Sequence, residues 1–361
     1  MKQRQHGVDA LRIVSMLFVI IQHILGQGGV AGAELASGKD ILLRFLQILV
    51  YCAVNLYGIT TGYLLCRKPF RLARLVKLWL TTVFWSVAVS CVFFLVLPES
   101  RTFEEMVSMF LPILRGRYWF FTAYFVVMLI SPVLNVVIAR LTKGQFHLLF
   151  AALLLIFGVV PVGSLGNDVL RINTGHHFSW MTVLYLIGGY LRCHATWKVP
   201  KRSVWLWGYF LSAAVHLLYI LGVNLTGLEN LSWLFLTYPS PLIVAEAVCL
   251  FQWFRDLPIK AEGPMGRLIR FAAPGVYSVY VIHVHPRVFW NKTIIGLFRA
   301  WDNWSLPAVA AGIAGTAAAV FLACVLLDAL RQRLFRLLGI DAAADRVSDR
   351  IERKIRQLAG E

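Results

Sequence analysis

The amino-acid sequence predicts an all-α fold, a polytopic transmembrane helical bundle of about ten spans with both termini cytoplasmic. Three observations predict it: the composition, the recurrence of bilayer-length apolar runs, and the uneven placement of basic residues. Hydrophobic residues make up 59% of the 361 and charged residues 15%, whereas a soluble domain carries roughly 25% charged residues. That leaves too little polar surface to coat a water-soluble globule of this size. Mean hydropathy is +0.70. Apolar runs of about 20 residues, the length that crosses a bilayer, recur along the whole chain.

Taken in order, spans are expected at roughly 9–27, 41–64, 77–97, 118–138, 147–163, 178–191, 203–223, 233–254, 271–290 and 305–329. The first has a charged lead-in like that of a signal peptide. Asp9 and Arg12 interrupt it, so it reads as a retained span. The second carries Asn55, Thr60 and Thr61 in an apolar run, and Gly58 and Gly62 at the four-residue spacing that lets helices approach closely. Connections are short, the longest outer ones being 98–117, with Glu99, Glu104 and Glu105, and 164–177. Pro286 is expected to disturb the ninth span just past His285. A membrane domain over 1–330 is followed by a tail, 331–361, whose apolar residues fit one face of a helix with a basic opposite face, as in a helix lying on the cytoplasmic leaflet.

The formal charge of +17 invites a nucleic-acid reading, but its placement answers to topology instead. With the N-terminus inside, cytoplasmic segments hold 26 of the 35 Lys and Arg residues and outer segments nine. This is the asymmetry of the positive-inside rule, with anionic headgroups as an added partner. The six cysteines form neither a CxxC pair nor an extracellular pattern, so neither disulfide nor metal site is expected.

Ionisable groups inside spans are expensive and draw functional hypotheses. Arg12 and His23 are 11 residues apart. On a straight helix they share one face, ~16 Å apart along the axis. Asp9 and Arg12 also suit an interfacial cap and anchor, and His23 an interhelical hydrogen bond. In the ninth span Tyr277, Tyr280 and His283 fall on one helical side, with His285 and Arg287 near the outer end. Arg117, Tyr118 and Trp119 suit an interfacial aromatic belt with its cation. Arg67, Lys68, Arg71, Arg74 and Lys77 form the densest short basic connection, either an orientation signal or an anion site.

These segments together resemble the acyltransferase-3 family of integral membrane acyltransferases, in its standalone form acting on exopolysaccharides or other envelope glycans. Arg12, ten residues, then His23 matches the family's first span. Thr61-Gly62-Tyr63-Leu64-Leu65, followed by the basic connection, matches a Ser-Gly-aromatic-Leu-Leu motif with Thr in place of Ser. Tyr118-Trp119-Phe120 through Ser131-Pro132, YLIGGYLR at 185–192 and SVYVIH at 278–283 match later signatures. The resemblance spans roughly 5–330. It implies transfer of an acyl group, usually acetyl, from cytoplasmic acyl-CoA (acetyl-CoA as donor, no metal) to a hydroxyl of a surface or exported glycan. It places the protein in the cell membrane, with lipids and polysaccharide-synthesis proteins as partners and no nucleic acid.

On that resemblance His23 is the expected catalytic base or transient acyl carrier, since imidazole titrates near neutrality, with Arg12 on the donor side. Arg67, Arg71 and Arg74 are expected to hold acyl-CoA. Arg117, Trp119, Tyr280, His283, Asn55 and Thr61 are expected along the acceptor path or in support of it. Two alternatives remain beside this reading: a transporter of a lipid-linked saccharide, and an acyltransferase with a non-glycan acceptor.

Overall fold

A computed structural model describes residues 5–32, 35–97, 100–197 and 201–359; Glu99, in the expected acidic connection, lies outside them. Every regular element among the described residues is helical. The first helix, α1 (His6–Leu25), is followed by α2 (Gly38–Tyr51) and α3 (Ala53–Leu65), which read through as one span slackened at Cys52 (φ −69°, ψ −2°). Next come α4 (Leu72–Val96), the short α5 (Phe103–Phe110) and α6 (Trp119–Arg140). Helix α7 (Lys143–Leu154) continues through a π-helical turn, Leu155–Val159, into α8 (Val160–Gly163). Then follow α9 (Phe178–Cys193), α10 (Ser203–Leu225) and α11 (Pro241–Arg255).

The ninth expected span is not one helix. It is divided among α12 (Pro264–Ala272), α13 (Val276–His283) and α14 (Pro286–Phe289), with α15 (Lys292–Arg299) following. Pro274, Gly275 and Pro286 explain the breaks, and α13 ends at His283, two residues before the expected disturbance. Among the described residues seven helical segments are long and apolar enough to cross a membrane, and they fall on seven of the ten expected spans. Of the other three, α9 has 16 residues and α11 has 15, and the third is the broken segment. Helix α16 (Leu306–Leu337) runs seven residues past the expected end of the membrane domain, and α17 (Ile340–Ala359) then folds back against α4. There Lys77 Nζ pairs with Asp345 at 2.8 Å and the Leu72 amide donates to Glu352.

The expected close approach on α3 is present. A Cβ on Gly62 would lie 2.0 Å from the Tyr185 carbonyl oxygen, and one on Gly188 of α9 would lie 2.0 Å from that of Ile59. Without side chains at these points the two backbones touch, and α3 and α9 form the best-packed pair in the bundle. Contacts also fix which helix ends lie together. Gly7 abuts the Phe254 carbonyl, Tyr63 meets Phe251, Arg192 donates to the Tyr63 hydroxyl, and α17 packs on the start of α4. The start of α1, the ends of α3, α9 and α11, and α17 therefore share one end of the bundle, here termed the basic end.

Candidate active site

At the far end of the bundle a cavity of about 450 Å³ opens beside the last turn of α1. Helix α1 contributes Met16, Val19, Gln22 and His23, and the slackened α2–α3 span contributes Val50, Tyr51, Val54 and Tyr57. One wall is aromatic. The Trp119 and Tyr238 rings lie 5.9 Å apart at 23°, and the His176 ring sits 4.5 Å from Trp119 and 4.8 Å from Tyr238. Phe289 closes the wall edge-on to His23, at 4.8 Å.

His23 Nδ1 is 3.2 Å from His283 Nε2, and His283 Nδ1 is 2.5 Å from the Val279 carbonyl oxygen. A carbonyl oxygen only accepts, so His283 carries its proton on Nδ1. With both rings neutral, His283 Nε2 then presents a lone pair, and His23 donates to it from Nδ1. The remaining nitrogen of His23, Nε2, is left with a free lone pair in a side chain that lines the cavity. A backbone carbonyl thus sets the tautomer of two rings in series.

The other expected residues fall into three groups. Trp119 and Tyr280 line the cavity with His23. Asn55 does not line it but holds its wall, donating to the Tyr238 carbonyl oxygen at 2.8 Å and accepting from Trp180 Nε1 at 3.0 Å. Thr61 bonds only within its own helix, to the Tyr57 carbonyl oxygen.

Arg117 is buried, but not in the cavity. Its Nη2 reaches Glu105 at 2.5 Å, His285 Nε2 at 2.7 Å and Ser90 at 3.0 Å, tying α4, α5 and α14 to the start of α6. Burial alone would raise the Glu105 carboxyl, yet the Arg117 contact, with help from Ser90 and Arg287, holds it below the usual carboxylate range. Trp119 and His283 each lie two residues from this cluster, so it fixes the chain on both sides of the cavity.

The remaining cations are remote. Arg12 sits ~16 Å from His23 along α1, pairs with Asp9 at 3.3 Å, and does not line the cavity. Its carbonyl oxygen accepts from the Tyr57 hydroxyl at 2.6 Å, which ties it to the cavity wall through the backbone only. Arg67 and Arg71 stand exposed in the connection from α3 to α4 at the basic end, and Arg74, in the first turn of α4, donates to the Pro69 carbonyl oxygen.

Sequence reasoning did not single out Tyr57, Tyr238 or His176. Tyr57 was legible as a side chain one turn before Thr61. His176 was not, because a turn delivers it: Arg171, Asn173 and Thr174 all have positive φ (51°, 45° and 52°), and Asp168 accepts from the Ile172 and Asn173 amides. Burial lowers the His176 imidazole below its ordinary value, opposed by its bond to the Asn173 carbonyl oxygen.

A family model described as an acyltransferase domain, that of the acyltransferase-3 family, matches residues 5–328. The chain belongs to the acyltransferase-3 family. It is accordingly a multi-pass membrane acyltransferase, and the transporter alternative is left without support. No curated protein and no solved structure matches the chain. The matched stretch includes both members of the His23–His283 pair and every side chain of the cavity, so the family assignment and the site fall on the same part of the molecule.

Proposed function

We propose that the chain is an O-acyltransferase of the cell membrane that moves a short acyl group, acetyl in the simplest case, from acyl-CoA to a hydroxyl of an exported or surface glycan. The observation that carries this reading is the free Nε2 lone pair of His23 in a cavity walled by Trp119, His176 and Tyr238. Flat aromatic faces suit the C–H faces of a sugar ring, and an imidazole nitrogen suits removal of a hydroxyl proton.

In this reaction the glycan oxygen attacks the thioester carbonyl carbon while His23 Nε2 takes its proton. The C–O bond forms and the C–S bond breaks. The proton then passes to the leaving thiolate, giving the ester and free CoA. The reading assigns the phosphates of CoA to Arg67, Arg71 and Arg74, and Arg12 to the donor path between them and His23. It places the basic end in the cytoplasm, because cytoplasmic segments gather Lys and Arg.

The test compares surface glycans from cells without the chain, with it, and with His23→Ala at equal membrane levels, scored for base-labile acyl ester. Ester should appear with the chain and fall by about 10²–10⁴-fold in the variant, the range of a lost general base. Full acylation by His23→Ala would remove His23 from the chemistry. Acyl ester on a lipid or an amine instead of a glycan would move the acceptor to a different class.

A further inference from the structure

The His23–His283 pair has a second face. Behind it, between α1, α15 and α16, lies a separate cavity of about 100 Å³, less than a quarter the size of the first. Its character is different. Ile20, Ile24, Val288, Ile295 and Val320 make it aliphatic, with Thr316 as the chief polar side chain contributed by α16. The two cavities share His23, Gln27 and Phe289, so these side chains form the partition between them. Helix α15 roofs the smaller cavity with Ile294, Ile295 and Phe298, all half-buried, while Lys292 and Arg299 stay exposed. Phe298 rests on Gly28, where a Cβ would come within 3.0 Å of its ring.

We infer that this smaller cavity receives the alkyl part of the transferred acyl group and sets its length. The inference rests on the acyl-transfer reading above and extends it to donor selectivity. Group transfer needs two different surroundings at one nitrogen, a place for the acceptor and a place for the group transferred. The aromatic cavity provides the first, and the aliphatic one is too small for a sugar ring. At about 100 Å³ the cavity has room for a short alkyl group and little more. The favoured donors are therefore short-chain acyl-CoA thioesters, the alkyl tail passing beside Phe289 with the carbonyl carbon on the His23 side.

Membranes containing the chain, supplied with radiolabelled acetyl-, butyryl- or hexanoyl-CoA, test this through label recovered as base-labile ester in the glycan fraction. The wild type should use acetyl and butyryl groups and discriminate against hexanoyl. Thr316→Phe, which fills the cavity, should lower the butyryl-to-acetyl ratio about tenfold or more, since one methylene in an apolar pocket is worth about 10–200-fold. Val320→Ala, which enlarges it, should raise the hexanoyl-to-acetyl ratio, and it serves on its own if the larger substitution fails to fold. Unchanged ratios in a folded variant overturn the inference and leave the transfer reading standing, as they would if the cavity held only a membrane-lipid tail. A wild type that moves no label from any acyl-CoA overturns both.

Discussion

Imidazole is useful as a base only through whichever nitrogen lacks a proton, and in α1 that choice is made 260 residues away in the chain. His283, itself oriented by the Val279 carbonyl oxygen, requires a donor from His23. His283→Ala removes the acceptor and lets His23 present either nitrogen to the cavity. Its expected effect is a loss on the order of tenfold in kcat, smaller than the loss of the base itself, with little change in KM for the acyl donor. His283→Gln, whose amide oxygen still accepts, should recover part of the rate. A His283→Gln variant no better than His283→Ala would mean that ring packing, not tautomer choice, is what His283 provides. Single-residue reasoning reached both histidines, because each is a costly group in an apolar segment. It could not join them, since nothing in a helical wheel of one span reports its partner in another. Arg12 shows the converse: its spacing from His23, the ~16 Å that separates them and its place three residues after Asp9 are all legible within one span.

Elements meet at places where side chains are missing. Gly58 and Gly62 were readable as a close-approach face from spacing alone, whereas their counterpart, Gly188, needed the structure to assign it to α3. Gly188→Val would drive a branched side chain into the Ile59 carbonyl. The expected result is a loss of about 1–3 kcal/mol or more, seen as a lowered midpoint in thermal unfolding of the detergent-solubilised protein. An unchanged midpoint would mean that α3 and α9 can separate without penalty. In the sequence Asp328 stands at the end of the last expected span, 305–329, where an acid is costly unless it is paired. It is fully buried and accepts from Ser278, Trp85, Arg331 and Gln332, binding α13 and α4 to α16. A polar residue near a span end reads as interfacial until the neighbouring helices that cover it are known.

For the whole molecule, composition and basic-residue placement made the helical, multi-pass architecture legible, and hydropathy located seven spans that are single long segments. Hydropathy averages over apolar residues whether or not the backbone stays helical, so the breaks around α12, α13 and α14 were invisible to it except at the prolines. The sidedness reading makes a separate prediction. An impermeant maleimide applied to intact cells should label Leu228→Cys, at an exposed position at the far end, and leave Leu358→Cys on α17 unlabelled until the membrane is opened. The reverse pattern would invert the bundle and with it the assignment of the donor side.

The share of the cavity wall carried by the α2–α3 span has a consequence for how acceptors change. Val50, Ala53, Val54 and Tyr57 follow the i, i+3, i+4, i+7 face of a helix, and with Tyr51 all line the cavity. Five wall residues thus fall within eight consecutive positions, while the His23–His283 pair sits on other helices. On the proposed reading, drift confined to that short stretch would reshape what the enzyme accepts and leave His23 and His283 untouched, so acceptor preference should diverge among relatives faster than chemistry does.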